Sequence, residues 1–276
     1  MRNIQAAIVV WFNPSSEVIE NIDSYIDDVA TVYCIDNSDG DNSHLYSHEK
    51  FKYFPQFRNV GLASALKIGC DLAIQDGATI ITTFDQDTFC EANIAKKMAD
   101  KLLKIKTVGL VASNIKYIYR NEETGERILS EEIVASPHSE HWVITSGSTF
   151  RSSTYQELGG FDEKLFIGQI DQDFCFRLLQ CRYQIIQLSD YFIYQELGNT
   201  IKKRFFGKLI SIPHLSPIRY YYIFRNERYL RRKWKHAYLP YQVSLHKYLI
   251  SIILFEEDKI SKLTKCLKGY WDGKKI

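Results

Sequence analysis

Short apolar runs alternate with helically spaced apolar positions in the first part of the chain. Residues 4–12 are apolar almost throughout, which is typical of a strand buried on both faces of a parallel sheet. Asn13–Pro14 ends this run, and Ser15 or Ser16 can cap a following helix. That predicted helix has one apolar face, formed by Val18, Ile22, Tyr25 and Ile26.

The alternation continues to residue 112. It predicts further strands at 29–35, 51–54, 80–87 and 108–112, and helices beginning near residues 62 and 91. Small residues in the first of these helices, Gly69 among them, allow a close approach to the sheet. This alternation of strands and helices predicts a Rossmann-like fold of the α/β class with a mostly parallel central sheet.

The pattern changes after residue 115. Two short apolar runs flank residues 121–126 and predict a hairpin. Residues 143–150 predict a strand interrupted by Gly147, which indicates a close backbone approach at that point. The acidic residues Asp171 and Asp173 suit the N-terminus of a further helix.

Two of the predicted strands end in carboxylates. Asp36 follows the strand at 29–35, whereas Asp85 and Asp87 end the strand at 80–87 with i, i+2 spacing. Extended geometry aims Asp85 and Asp87 to one side, where a divalent cation with a diphosphate would relieve their repulsion. Ligands of open α/β sheets bind beyond the carboxyl ends of strands. The alternative for all three is a turn, since Asp favours turns.

Composition limits the class of protein. The chain has 276 residues, 45% hydrophobic and 25% charged, as in a globular protein with an ample core. Its six cysteines show no paired or zinc-like spacing and predict reduced thiols, with Cys90 a packed bystander. We expect no signal peptide and no membrane span. The absence of a dinucleotide fingerprint or Walker loop argues against those nucleotide-binding classes.

The net charge of +2 conceals an asymmetry. Residues 200–276 hold 18 Lys/Arg and 5 Asp/Glu, a balance of +13, whereas residues 1–199 have a balance of −11. This basic end is expected to meet an anionic surface or ligand. A basic helical face is predicted there at Arg228, Arg231, Arg232 and Lys235, and an apolar stripe at Leu245, Leu249, Ile252 and Ile253.

Two interpretations of the basic end stay open. Aromatic and basic residues beside an amphipathic helix favour an interfacial membrane segment. The alternative is a helix packed on the rest of the protein with a solvated basic face. Nucleic acid is not favoured, because no recognition motif is present.

Seven blocks in register resemble family 2 glycosyltransferases, which have the GT-A fold. Besides Asn13–Pro14, they are Asp36–Ser38, Asn59–Gly61, Asp85–Asp87, Ser146–Gly147, Gly160–Glu163 and Asp171–Asp173. The chain more closely resembles the bacterial rhamnosyltransferase branch. That likeness is carried by Asp85–Gln86–Asp87, by Phe166 to Arg177, and by the Tyr-rich segment Arg219–Asn226.

The resemblance implies a role for each matching residue. Asp171 is implied as the catalytic base, and Asp87 with Asp85 as ligands of Mg²⁺ or Mn²⁺. Residues implied to bind the nucleotide sugar are Asp36, Asn37, Asn59, Gly61, Asp85 and Gln86. Acceptor-side or supporting residues are Ser146, Gly147, Asp173 and Arg177. The structural alternatives are a helix N-cap for Asp171 and a first-turn acid for Asp173.

Two positions depart from the family pattern. Lys67 stands where the family often has Asn, which puts a donor contact there in doubt. Gln195 stands where the branch usually has a His, implied as an extra metal ligand. Gln offers only a neutral carbonyl oxygen, so weaker metal affinity is expected, and His214 is a candidate substitute or a structural residue.

The resulting expectation is an inverting, metal-dependent glycosyltransferase. It would move L-rhamnose from dTDP-rhamnose to a lipid-diphosphate-linked glycan in cell-surface polysaccharide synthesis, as a cytoplasmic protein peripheral to the inner membrane face. Alternatives are a UDP-hexose donor, a nucleotidyltransferase, or a non-enzymatic sugar-binding relative. The predicted domains are a GT-A catalytic domain, residues 1–215, and a basic, Tyr-rich helical extension, residues 216–276.

Overall fold

The computed structural model describes residues 3–120, 127–134, 142–196, 200–205, 208–235, 237 and 242–276. The chain divides into two compact units. The first comprises residues 1–166 and 170–196, and the second comprises residues 167–169 and 197–276. The boundary expected between residues 215 and 216 therefore lies inside the second unit.

The first unit is built on one mixed sheet. Its strands in sheet order are β3 (Phe51–Pro55), β2 (Thr31–Asp36), β1 (Gln5–Trp11), β4 (Ile80–Asp85), β8 (Ser148–Arg151), β6 (Val108–Arg120), β9 (Gln184–Glu196) and β5 (Phe89–Cys90), with β7 (Arg127–Val134) paired to β6. From β3 to β4 all neighbours are parallel, as are β6 and β9. The predicted α/β class with a largely parallel sheet is confirmed.

The register brings the predicted carboxylates to one edge of the sheet. Asp36 pairs opposite Trp11, and Asp85 pairs opposite Val10, the preceding residue of the same strand β1. Strands β2 and β4 flank β1, so these two backbones lie roughly 10 Å apart, which is two strand spacings. This distance suits an extended ligand laid across the carboxyl ends of three strands.

The helices of the first unit follow the predicted pattern with one difference. They are α1 (Ser16–Ile19), α2 (Leu62–Gln75), α3 (Ile94–Lys104), α4 (Ser152–Glu157) and α5 (Ile170–Gln180). In place of the single helix predicted across Val18–Ile26, the structure has the short helix α1 followed by two 3₁₀ turns. Ser24 ends the first 3₁₀ turn, where its Oγ donates to the Asn21 carbonyl and accepts the Cys90 N–H.

Glycines mark the close approaches that the sequence indicated. A Cβ on Gly69 of α2 would lie 2.5 Å from the Ile8 side chain of β1. Gly147 has a φ of +67°, and a Cβ there would lie 2.2 Å from the Ser113 Oγ. Larger residues would therefore push α2 off the sheet or distort the entry to β8. The hairpin partners β6 and β7 are antiparallel, whereas their turn at 121–126 lies outside the described residues.

The second unit contains a hairpin and three packed helices. Its elements are β10 (Ile201–Phe205), β11 (Lys208–Ile212), α6 (Pro217–Trp234), α7 (Leu245–Phe255) and α8 (Lys259–Asp272). Tyr220, Phe224, Ile252 and Cys266 form its buried core. The buried Glu256 carboxylate accepts hydrogen bonds from Tyr220 and Lys262, which ties the three helices together.

Most of the predicted basic face of α6 contacts its own unit. Arg228 donates to the Tyr270 hydroxyl at 3.1 Å, and Arg231 pairs with the fully buried Glu227 at 2.6 Å. Arg232 donates to the Gly273 carbonyl at 3.1 Å. The helix ends before Lys235, whose φ is +50°. These arginines therefore stabilise the helical packing of the second unit and are not a solvated face, while the choice between a membrane segment and a packed helix stays a prediction.

The predicted apolar stripe of α7 is divided between core and surface. Leu245, Leu249 and Ile252 pack on the core of the second unit, whereas Ile253 is 51% exposed. Several other large apolar side chains of α7 and α8 are exposed too, namely Ile250, Leu254, Ile260, Leu267 and Trp271. We call these six exposed residues the apolar face. Among the described helices, none has the length and hydropathy needed to cross a bilayer.

Candidate active site

Asp85 and Asp87 lie together at the carboxyl end of β4. Asp85 is the last residue of the strand, and its carbonyl accepts the Thr88 N–H at 3.1 Å, which closes a tight turn. Both side chains are half-buried. Burial, and after it the negative charge of Asp85, raises the pKa of Asp87 to about 7. A positively charged ligand beside the two carboxylates would therefore favour the ionised form of Asp87.

The side-chain amide of Gln195 bridges the two carboxylates. Its Nε2 donates to Asp85 Oδ2 at 2.7 Å and lies 3.4 Å from Asp87 Oδ1. Gln195 is 8% exposed and is the next-to-last residue of β9, 110 positions from Asp85 along the chain. A neutral amide satisfies hydrogen bonds but supplies no net charge, so Gln195 does not itself neutralise the carboxylates.

The donor set fits a hard divalent cation. Two carboxylates offer oxygen ligands, and a half-turn of the Gln195 amide would present its Oε1 to the same point. Among the described residues, no group of three His, Cys, Asp or Glu side chains converges, so further ligands would come from substrate or water. His214 belongs to the second unit, and its part in a metal site stays a prediction.

Ser146 and Gly147 support the turn that carries these acids. The Ser146 Oγ accepts the Asp85 N–H at 3.0 Å and lies 2.6 Å from the Thr88 hydroxyl. Gly147 links two strands, since its N–H donates to Thr83 O and its carbonyl accepts the Ser113 N–H. Both residues thus hold the end of β4 in place from behind.

Gln86 connects the same turn to β1. Its Oε1 accepts the Phe12 N–H at 2.8 Å, and its backbone carbonyl accepts from the Asn21 amide at 3.2 Å. These bonds fix the first residues after β1 beside Asp85. The side chain is therefore engaged with its own chain, and the implied contact of Gln86 with the donor stays a prediction.

Asp36 is fully buried at the end of β2. Its Oδ1 accepts the Ser38 N–H at 3.0 Å, and its Oδ2 accepts from Asn42 at 2.8 Å and from the Tyr53 hydroxyl at 2.6 Å. The carboxylate thus shapes the loop after β2. The implied nucleoside contact stays a prediction and would use the remaining acceptor capacity of this carboxylate.

Asn37 and Asn59 lock two neighbouring loops together. Asn37 donates to Asn59 Oδ1 at 3.0 Å and accepts the Val60 N–H at 2.7 Å, while Asn59 Oδ1 also accepts the Gly61 N–H at 3.0 Å. Gly61 has a φ of +89° and precedes α2. These bonds connect the loop after β2 to the segment before α2, and the positive φ of Gly61 favours glycine there.

Asp171 lies in the first turn of α5, beside a small apolar cavity. This cavity of about 10 Å³ is lined by Asp171 together with Thr83, Val143, Thr145, Phe150 and Phe174 among others. Burial raises the pKa of the Asp171 carboxyl to about 6, against the opposing hydrogen bond from the Gln172 N–H. Thr83 lies two residues before Asp85 on β4, so Asp171 is near the acidic pair but separate from it.

Asp173 has a different environment, although it is only two residues away. It is fully buried, and its Oδ2 accepts from Arg177 Nε at 2.9 Å. Arg177 also donates to the carbonyls of Leu158 and Gly160 at 2.7 and 2.6 Å. The pair therefore ties α5 to the turn after α4, whereas Asp171 has no cationic partner among the described residues.

Two contributors to this site were not expected from the sequence. Tyr53 on β3 and Asn42 in the loop after β2 hold Asp36. Tyr53 lies in a strand, where an aromatic residue is expected for packing alone. Its hydrogen bond to Asp36 could therefore not be predicted from the sequence. Only the pairing of β2 with β3, which places Cys34 opposite Tyr53, brings its hydroxyl within reach.

Comparison with known proteins adds a family to this geometry. The family model described as Glycosyl transferase family 2 matches residues 6–170. The dTDP-rhamnosyl transferase RfbF of Shigella flexneri is 26% identical over 287 aligned residues, which cover 97% of this chain and 94% of that protein.

Solved structures resemble the chain at lower identity. GalNAc-T7, crystallised with UDP, GalNAc and Mn²⁺, matches with a TM-score of 0.62 and 15% identity, over 85% of this chain and 49% of that one. Residues 1–349 of S. aureus TarS match with a TM-score of 0.53 and 13% identity, over 98% and 71%. This chain thus spans about half of the GalNAc-T7 chain. These likenesses confirm the predicted GT-A fold.

Proposed function

This chain belongs to glycosyl transferase family 2, and from that premise we propose that it is an inverting, metal-dependent rhamnosyltransferase. It moves L-rhamnose from dTDP-L-rhamnose to the hydroxyl of a glycan acceptor. The observation that carries the proposal is the separation of two kinds of carboxylate. Asp85 and Asp87 form a like-charged pair, whereas Asp171 stands apart in an apolar recess with a pKa of about 6.

The donor proposal draws on the rhamnosyl transferase of Shigella flexneri, which aligns with almost the whole chain. A UDP-hexose donor is the alternative. The UDP and GalNAc of the GalNAc-T7 structure give that alternative little weight, because the likeness at 15% identity extends to the fold alone.

The acidic pair and Gln195 are the residues that would hold Mg²⁺ or Mn²⁺. When bound, the cation supplies positive charge next to the leaving diphosphate. The chain's own contribution is a pre-formed turn, with Asp85 fixed by Ser146 and both carboxylates lying next to Gln195. The loops that carry Asp36, Asn37, Asn59 and Gly61, together with Gln86, are proposed to bind the nucleoside and sugar of the donor.

Asp171 is proposed as the base of the transfer. A carboxylate in a recess has a raised pKa and takes a proton more readily than one in water. As the acceptor oxygen attacks the anomeric carbon, its proton passes to Asp171. The displaced nucleoside diphosphate leaves from the opposite face, so the configuration at that carbon is inverted.

The acceptor is proposed to be a lipid-diphosphate-linked glycan of cell-surface polysaccharide synthesis. The enzyme would then work in the cytoplasm, peripheral to the inner membrane face. The apolar face of the second unit supports this proposal, because lysines such as Lys268 and Lys274 are exposed on or next to the same helix α8. Apolar side chains next to lysines suit an anionic lipid surface.

A thermal-shift panel tests the proposed donor. The protein is heated with dTDP-rhamnose, dTDP, UDP-glucose or UDP-GalNAc, each with and without Mn²⁺. A ligand at 100 times its Kd stabilises the folded state by about 2.7 kcal/mol. We expect stabilisation by dTDP-rhamnose and dTDP only when Mn²⁺ is present. Stabilisation by UDP-sugars instead would overturn the donor, and no response to any nucleotide would overturn the proposed function.

A further inference from the structure

The backbone immediately before α5 is unusual. Phe166, Gly168 and Gln169 have φ values of +59°, +82° and +60°. The ψ of Phe166 is −65°, which lies outside even the left-handed helical region. Non-glycine residues hold such conformations only where surrounding contacts impose them, and such sites cluster at functional positions. We call residues 166–169 the arm, since Asp171 follows two residues later.

One set of contacts holds the start of the arm. The ring of Phe166 covers Gly61, where an added Cβ would lie 2.5 Å from the ring. The Phe166 carbonyl accepts the N–H of Ala63 at 3.1 Å, at the beginning of α2. Phe166 thus contacts the loop that includes Asn59, which is one of the proposed donor-binding residues.

A second set of contacts holds the rest of the arm within the second unit. Asn226 of α6 is fully buried, and its Nδ2 donates to the carbonyls of Ile167 and Gly168 at 3.0 and 2.9 Å. The next residue, Glu227, is also fully buried and accepts from the Gln169 side chain at 2.8 Å. Three consecutive residues of the arm are therefore hydrogen-bonded to two consecutive residues of one helix.

From these contacts we infer that Phe166 and Asn226 are positioning residues that set the place of Asp171 through the arm. The inference rests on the proposed role of Asp171 as base. A base must stand within hydrogen-bonding distance of the acceptor hydroxyl, and a displacement of about 1 Å can lower the rate about 10²-fold. Asn226 carries no charge, donates to the backbone carbonyls of Ile167 and Gly168 and accepts from Arg225, so its replacement by Ala removes hydrogen bonds to the arm without changing the charge of the protein.

The competing explanation is that Asn226 only stabilises the folded protein. Tyr220→Phe is the matched control for that explanation. Tyr220 is on the same helix and as fully buried as Asn226, but its hydroxyl donates to Glu256. Both Asn226→Ala and Tyr220→Phe should lower the melting temperature. Only Asn226→Ala should release the arm.

Two measurements on the full-length protein separate these explanations. The first is hydrogen–deuterium exchange of peptides covering 166–171, without substrate. We expect faster exchange in Asn226→Ala and in Phe166→Leu, and wild-type exchange in Tyr220→Phe. Equal exchange in all variants, or a similar increase in Tyr220→Phe, would overturn the inference whether or not the proposed function holds.

The second measurement is a double-mutant cycle on the turnover of dTDP-rhamnose. Asn226→Ala should lower kcat about 10²-fold with donor Kd unchanged, and should have little further effect in an Asp171→Asn background, because both act through one group. A double mutant whose kcat is lowered by the product of the two single-mutant factors would contradict the inference. Should Asn226→Ala fail to fold, Phe166→Leu completes the same cycle. Wild-type protein that binds no nucleotide sugar would count against the proposed function alone, since the exchange result stands by itself.

Discussion

Replacing Asp87 with Asn should stabilise the metal-free protein while abolishing metal-dependent donor binding. The Asp87 carboxylate is half-buried beside Asp85, and the side-chain amide of Gln195, 3.4 Å away, is neutral. In the folded state, ionisation of Asp87 is therefore opposed by burial and by a like charge. Asparagine has nearly the same shape, carries no charge and can still accept from Gln195.

The size of the effect follows from the shift in pKa. The Asp87 pKa rises from 3.8 to about 7, and each unit corresponds to about 1.4 kcal/mol, so about 4 kcal/mol is the upper limit. The introduced amide must also find an acceptor for its N–H groups, which reduces the gain in the free energy of unfolding. We expect the variant to be more stable by about 1–3 kcal/mol at pH 8.

The sign of the pH dependence is specific. Because the folded pKa lies above the unfolded one, the wild-type protein loses stability as pH rises from about 4 to about 7, and the loss is constant above that range. The variant lacks this contribution, so its advantage should be clearly smaller at pH 5 than at pH 8. Urea unfolding in EDTA at both pH values measures the difference.

A matched control is Asp173→Asn. Asp173 is also buried, but it is paired with Arg177, so its replacement should destabilise the protein. Adding Mn²⁺ with dTDP should stabilise wild-type protein and leave Asp87→Asn unchanged. A variant no more stable than wild type at pH 8 in EDTA would refute the reasoning about the acidic pair.

Three further outcomes are expected. The kcat/KM of transfer should fall as pH drops through about 6, because Asp171 must be unprotonated to accept a proton, and a pH–rate profile with an acid limb near 4 would count against this. Arg177→Met should cost about 3–5 kcal/mol in urea unfolding, since the buried Asp173 carboxylate loses the cation it pairs with, and a smaller loss than for Asp173→Asn would contradict it. Co-sedimentation with anionic vesicles should weaken with salt and in Leu254→Ser or Trp271→Ser, since each basic residue near the surface contributes about 1 kcal/mol, and equal binding to neutral vesicles or concentration-dependent dimerisation would oppose the membrane proposal.

Local patterns in the sequence were sufficient to place the carboxylates on the fold. The apolar run before Asp85 and the run before Asp36 each form a strand of the parallel part of the sheet, so both acids meet at one edge. Glycines were informative for the same reason, because Gly69 and Gly147 stand where backbones or helices approach too closely for a side chain. These predictions depend on neighbours in the chain or on the general geometry of parallel sheets.

Contacts between distant segments could not be predicted in this way. Gln195 reaches Asp85 only because β9 returns beside β6 and ends at the same edge of the sheet. Arg228 and Arg232 look like a solvated basic face until α8 packs against them. The segment predicted as a helix after β1 contains 3₁₀ turns in which Asn21 donates to Gln86 and Ser24 accepts from Cys90, contacts that helical periodicity does not encode.

The arm shows the same limit at a more functional position. Phe166 and Asn226 lie in segments that carry the family resemblance, yet no local pattern predicts their contacts with the arm or with Gly61. The Phe166 backbone has a positive φ and its ring covers Gly61, whereas Asn226 donates to the carbonyls of the next two residues, Ile167 and Gly168. A single sequence carries no signal for such pairings.

The most direct test of the account is a comparison of binding and turnover in Asp171→Asn. Donor affinity is measured by calorimetry with dTDP-rhamnose and Mn²⁺, and turnover by release of dTDP in the presence of lipid-diphosphate-linked glycans. The account predicts a Kd close to that of the wild type and a kcat lower by about 10²–10⁴-fold, because the carboxylate acts only on the acceptor's proton. Wild-type turnover by this variant, or loss of donor binding together with activity, would contradict the assignment of Asp171 as the base.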